Sequence, residues 1–122
     1  MTMKALARAA ALLAALACPA AALAHAFLDR AVPAVGGKVH GKPAEVRLRY
    51  SQPLEPAFST VRVFDAAGKQ IDNKDKGLDP KDASVLRVSL PPLAPGVYRV
   101  VWRVLSTDTH VTEGDYTFEV AP

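Results

Sequence analysis

Asp108-Thr109-His110 sets a carboxylate and an imidazole two residues apart. In an extended segment both side chains project to one side, roughly 7 Å apart at the backbone, so they can converge on one cation. A second imidazole becomes useful only after a cut. Ala22-Leu23-Ala24 reads as a signal-peptidase site, and the next residue is His25. Cleavage there would expose a free amine on His25, which can grip a metal together with its own Nδ1 in one chelate ring. With His110 and Asp108 these groups would supply three nitrogens and one carboxylate oxygen, a set that suits tetragonal Cu(II). Zinc would accept two histidines and an aspartate but prefers a tetrahedron. Cu(I) wants thiolate or thioether donors, and Cys18, Met1 and Met3 all precede the cut. One Cu(II) per chain on His25, Asp108 and His110 is therefore the expectation. Each residue also has a plain role: Asp108 could hold an Asx-turn, His110 could be a surface or structural histidine, and His25 could follow the cut by chance. His40, beside Gly41-Lys42-Pro43, reads as a turn residue.

The segment before His25 has the parts of a secretory signal. Lys4 and Arg8 form a positive start, and Ala9 to Leu16 an apolar stretch too short and Ala-rich for a good transmembrane helix. Residues 1–24 are expected to be removed and 25–122 to form one exported domain, with no membrane insertion of its own. A lipoprotein signal built on Cys18 is the competing expectation, which Ala15-Leu16-Ala17 fits poorly. The 122-residue chain carries 15 basic and 12 acidic residues. Two of the basic ones, Lys4 and Arg8, leave with the signal, so the domain is close to neutral and gives no electrostatic case for nucleic acid or an anionic membrane. Without cysteine it has neither disulfide nor thiolate site.

Short alternating strands, punctuated by Pro and Gly, must position these residues. Val46, Leu48 and Tyr50 share one face, opposite Glu45, Arg47 and Arg49. Leu86, Val88 and Leu90 share another, and Tyr98, Val100, Trp102 and Val104 a third, opposite Arg99 and Arg103. Tyr116, Phe118 and Val120 point inward in a last strand over 115–120. Strands over 26–32 and 60–65, and a short one near Gln70-Ile71, bring the count to about seven, as in an antiparallel Greek-key sandwich or barrel. The polar stretch Asp72 to Asp82 reads as a solvated loop; its mixed charges and spacing argue against calcium. Trp102 reads as core filling. Asp108 and His110 fall between the last two long strands, within reach of the chain start if the first strand packs nearby.

At these residues the chain resembles the CopC family of periplasmic copper-binding proteins. The resemblance runs through His25, Pro33 to Gly37, Val46-Arg47-Leu48-Arg49-Tyr50-Ser51, Leu93 to Tyr98, Trp102 to His110 and Gly114-Asp115-Tyr116-Thr117-Phe118. It implies a cupredoxin-like Greek-key β-barrel and a monomeric periplasmic Cu(II) carrier or buffer in copper tolerance or supply. His25 would bind through amine and imidazole, His110 through imidazole, and Asp108 as a fourth or axial ligand. A CopD-like inner-membrane copper transporter is the implied recipient. The chain departs from members with a methionine-rich Cu(I) site, which it cannot form, and from members with an acidic residue after the aromatic-Ser pair, where it has Gln52. Two other readings compete: a copper monooxygenase, which also grips copper with an N-terminal histidine but needs an open coordination position and a broad substrate surface, and a metal-free sandwich module. No enzyme activity is expected.

Overall fold

Alternation of β-branched and aromatic residues with charged ones gives strands that are apolar on one face and polar on the other, and such strands must stack in two layers. The computed structural model describes residues 26–122; His25, Cys18 and the predicted signal lie outside the described residues. The described residues form eight strands: β1 (Leu28–Val32), β2 (Lys38–Val39), β3 (Glu45–Tyr50), β4 (Thr60–Phe64), β5 (Gly77–Asp79), β6 (Asp82–Ser89), β7 (Gly96–Leu105) and β8 (Val111–Val120), with a 3-10 turn at Pro56–Phe58. They form two four-stranded sheets, ordered β1-β3-β6-β5 and β2-β8-β7-β4. All pairs are antiparallel except the two-residue β2, which runs parallel to β8. Among the described residues no helix is long and apolar enough to cross a membrane.

The expected inward faces are the ones buried. Val46, Leu48, Tyr50, Leu86, Val88, Leu90, Tyr98, Val100, Val104, Tyr116, Phe118 and Val120 share one core between the sheets. Trp102 packs against its edge, as core filling predicts, with its ring edge-to-face on Tyr50 at 5.3 Å.

Two expectations about the strands need correction. Gln70 makes only an isolated bridge to Phe64, so no strand forms at Gln70-Ile71. The Asp72 to Asp82 stretch is no free loop. Asp72 is buried, and its carboxylate accepts the backbone N–H of Val63 at 2.8 Å and of Lys74 at 2.9 Å. Asp75 accepts the N–H and hydroxyl of Ser89, and Gly77–Asp79 pairs with β6. Aspartates that read as solvated are thus acceptors for backbone donors that would otherwise be unpaired. Three carboxyls of the stretch are held below the usual carboxylate range, that of Asp75 by Ser89, that of Asp79 by Arg47 and that of Asp82 by Ser84.

Candidate metal site

The long β7-β8 hairpin sets the site. Its strands pair in register from Gly96↔Val120 to Leu105↔Val111, which leaves Ser106 to His110 as the turn. That turn is tight. Thr109 sits at φ +73°, its N–H donates to the Ser106 carbonyl at 2.9 Å, and Ser106 N–H donates to the His110 carbonyl at 3.0 Å. The extended geometry expected for Asp108 and His110 is therefore replaced by a folded one, and the two side chains do converge: Asp108 Oδ1 is 3.3 Å from His110 Nδ1. His110 Nδ1 thus faces the carboxylate, the arrangement by which a carboxylate fixes the orientation of an imidazole.

Sequence reasoning gave Ser106 no role of its own. It is fully buried, its hydroxyl donates to Asp108 Oδ1, and its Oγ accepts the His110 backbone N–H at 3.3 Å. One small side chain thus holds both members of the pair. Ser106, first, and His110 keep the Asp108 carboxyl below its usual range, so it stays an anion where a cation would bind. The signal that could have found Ser106 was its spacing: a hydroxyl two residues before Asp108 is placed for a local turn bond.

The turn is also tied to the start of the described chain. Thr112, two residues past His110, donates its hydroxyl to the Ala26 carbonyl at 2.9 Å. Ala26 is fully buried. Phe27 N–H donates to Ser51 Oγ at 2.8 Å, and Ser51 N–H donates back to the Phe27 carbonyl at 2.9 Å. Behind the turn, Thr107 N–H reaches the Pro53 carbonyl and Glu55 N–H the Leu105 carbonyl. Asp108 and His110 sit at the surface, with side chains 35% and 45% exposed, so an ion from solvent can reach them. Among the described residues no three His, Cys, Asp or Glu side chains form a metal-holding group; Asp108 and His110 bring two donors. His40 is exposed in a bend, as a turn residue should be.

The CopC domain model matches residues 28–121. The chain belongs to the CopC family. Among its relatives, Protein YobA of Escherichia coli strain K12 is 35% identical over 98 residues, covering 80% of this chain and 79% of the relative. Copper resistance protein C of Escherichia coli is 33% identical over 108 residues, covering 81% and 83%. The crystal structure of CopC from Methylosinus trichosporium OB3b superposes with a TM-score of 0.75 at 37% identity, over 80% of this chain and 95% of that one. CopC is a family of copper-handling proteins and not of enzymes, and the sandwich described above is its fold.

Proposed function

We propose that this CopC-family protein is a periplasmic Cu(II) carrier or buffer, secreted through residues 1–24 and holding one Cu(II) with the amine and imidazole of His25, the imidazole of His110 and, as fourth or axial ligand, Asp108. The observation that carries the reading is the Thr112 to Ala26 hydrogen bond, because Ala26 is the residue to which His25 is covalently joined. That bond supports the reading because it ties the residue next to the proposed amine donor to a residue two past His110. The donor chemistry also fits: imidazole and carboxylate with a chain-terminal amine favour Cu(II), and residues 25–122 contain no cysteine or methionine to favour Cu(I). The protein acts as a monomer, and a CopD-like membrane protein is the proposed recipient.

In this site the residues present divide the work. His25 and His110 bind. Asp108 has two carboxylate oxygens, of which Oδ1 already engages Ser106 and His110. It therefore orients His110 whether or not it also reaches the ion, and its negative charge offsets part of the ion's. Binding requires an unprotonated amine and imidazoles, so affinity falls as the solution is acidified.

The test is a Cu(II) titration of protein that begins at His25, followed by Trp102 fluorescence and electron paramagnetic resonance, beside the same chain with one extra N-terminal residue. One tight tetragonal Cu(II) in the first and a loss of at least about a hundredfold in the second supports the chelate, as expected when a coupled ligand is removed. Equal, weak binding in both removes His25 from the site and refutes the reading.

A further inference from the structure

The outer face of the β1-β3-β6-β5 sheet sets arginines against each other. Arg30 lies directly opposite Arg49, and Arg47 directly opposite Arg87. Like charges directly opposite destabilise a sheet, so each pair needs a counter-charge. The second pair has one: Arg47 donates to Glu45 at 3.2 Å and Asp79 at 2.6 Å, and Arg87 lies 3.6 Å from Glu45. The first pair has only a weak one. Arg49 reaches only Asp82, at 3.4 Å between exposed groups, a weak contact. Among the described residues Arg30 has no ion-pair partner.

Arg30 is on this face because of an irregularity. The register shifts between Leu28↔Tyr50 and Arg30↔Arg49, so Asp29 is the extra residue of a β-bulge. Leu28 and Ala31 both pack on the core. Strict alternation from Leu28 would turn Arg30 inward and Ala31 outward; the bulge reverses both. Arg30, Arg47 and Arg49, with Val32 and Val85, line a groove of about 240 Å³. Val85, opposite Arg49, faces away from the core yet is only 3% exposed, so it gives the groove an apolar floor.

We propose that this groove binds a phosphate-class oxyanion between the guanidiniums of Arg30 and Arg49. Each guanidinium presents a planar fork that takes two oxygens. A phosphate group has enough oxygens to meet two forks from neighbouring strands, whereas one carboxylate is filled by a single fork. The oxyanion supplies the counter-charge that the β1-β3 pair lacks. Glu45 and Asp79 leave this position open because Arg47 and Arg87 engage them, and Asp82 is the one carboxylate that competes for Arg49.

The test follows the arginine Nε–H signals by NMR during titration with inorganic phosphate, at constant ionic strength against chloride. Arg30 and Arg49 should shift saturably, and Arg30→Gln should weaken binding about tenfold or more, the scale of one charge-assisted contact. Arg99→Gln, which removes a partner of Asp115 on the other sheet, should leave it unchanged. Arg30→Gln should also leave the unfolding midpoint unchanged or raised, because it relieves a like-charge opposition; a fall in the midpoint overturns the counter-charge argument. Sedimentation with phosphatidylglycerol and phosphatidylcholine vesicles identifies the source. Arg30-dependent binding to phosphatidylglycerol alone assigns a lipid headgroup, and saturable phosphate binding without vesicle binding assigns a soluble phosphate compound. Phosphate shifts that do not saturate or do not depend on Arg30, together with no Arg30-dependent vesicle binding, overturn the proposal.

Discussion

Gly114→Ala should destabilise this protein through a single contact. Gly114 lies directly opposite Trp102 in the β7-β8 ladder, and the indole lies across it. A Cβ at 114 would stand 2.6 Å from Trp102 Cζ2 and 3.0 Å from Cε2. Carbon atoms prefer separations of about 3.5–4.0 Å, so the ring must retreat by roughly 1 Å. It has little freedom to do so, because it packs edge-to-face on the buried Tyr50 at 5.3 Å. Overpacking of this kind costs about 1–3 kcal/mol, and disturbing the aromatic pair adds about 0.5–1.5 kcal/mol. Against that, replacing Gly by Ala restricts the unfolded chain and returns about 0.4–1 kcal/mol. The net expectation is a loss of about 1–3 kcal/mol, or roughly 5–20 °C in Tm for a domain of this size. Urea and thermal unfolding followed by circular dichroism measure it, with Trp102 fluorescence reporting the ring's displacement. In a Trp102→Leu background the same Gly114→Ala change should become neutral or stabilising, because the atoms it meets are gone. A Gly114→Ala protein within about 0.5 kcal/mol of the parent, with unchanged Trp102 emission, would refute the reasoning.

Ser106→Ala should weaken Cu(II) binding about tenfold or more and change the electron paramagnetic resonance of the bound ion, since it releases Asp108 and the His110 backbone together; equal affinity and an identical spectrum would leave Ser106 without a positioning role. Asp72→Ala should cost about 3 kcal/mol in chemical denaturation by stranding the Val63 and Lys74 amide donors, and Asp72→Asn, which keeps an acceptor, should cost less. Acid should destabilise the fold in a definite window. Asp75, Asp79 and Asp82 titrate lower in the folded chain than unfolded, so their contribution is fully present above the ordinary carboxylate value of about 4 and is lost as pH falls through the lower folded values. Arg47→Gln removes the first cause of the Asp79 depression and should flatten the fall of the urea midpoint below about pH 4; an unchanged slope would contradict that assignment.

Much of this protein is written locally. Alternation identifies β3, β7 and the inward residues of β8, because a strand with one buried face has period two whatever it pairs with. Asp108 and His110 are legible for a similar reason: ligand chemistry depends on residue type and short spacing, and both lie in one turn. The resemblance through Trp102 to His110 and Gly114 to Phe118 is a run of local sequence as well, and its glycine has a local cause in the Trp102 ring that crosses it.

The rest needed the packed chain. Gly77–Asp79 carries no strong strand pattern, and Asp72 has the composition of a loop; pairing with β6 and the unpaired Val63 N–H give them their places. The bulge at Asp29 decides which face Arg30 occupies, and only the partner strand can show a register shift. Ser106 is one hydroxyl among many until its burial shows that Asp108 and His110 both depend on it. Ala26 and Thr112 are 86 residues apart, and no spacing rule predicts that they share a hydrogen bond. Sequence by itself determined which groups could hold an ion, because that is a property of side-chain chemistry. Tertiary structure decided that Ala26 and the segment just past the Asp108-His110 turn meet, because contacts between distant segments arise only when both sheets bury their apolar faces in a common core.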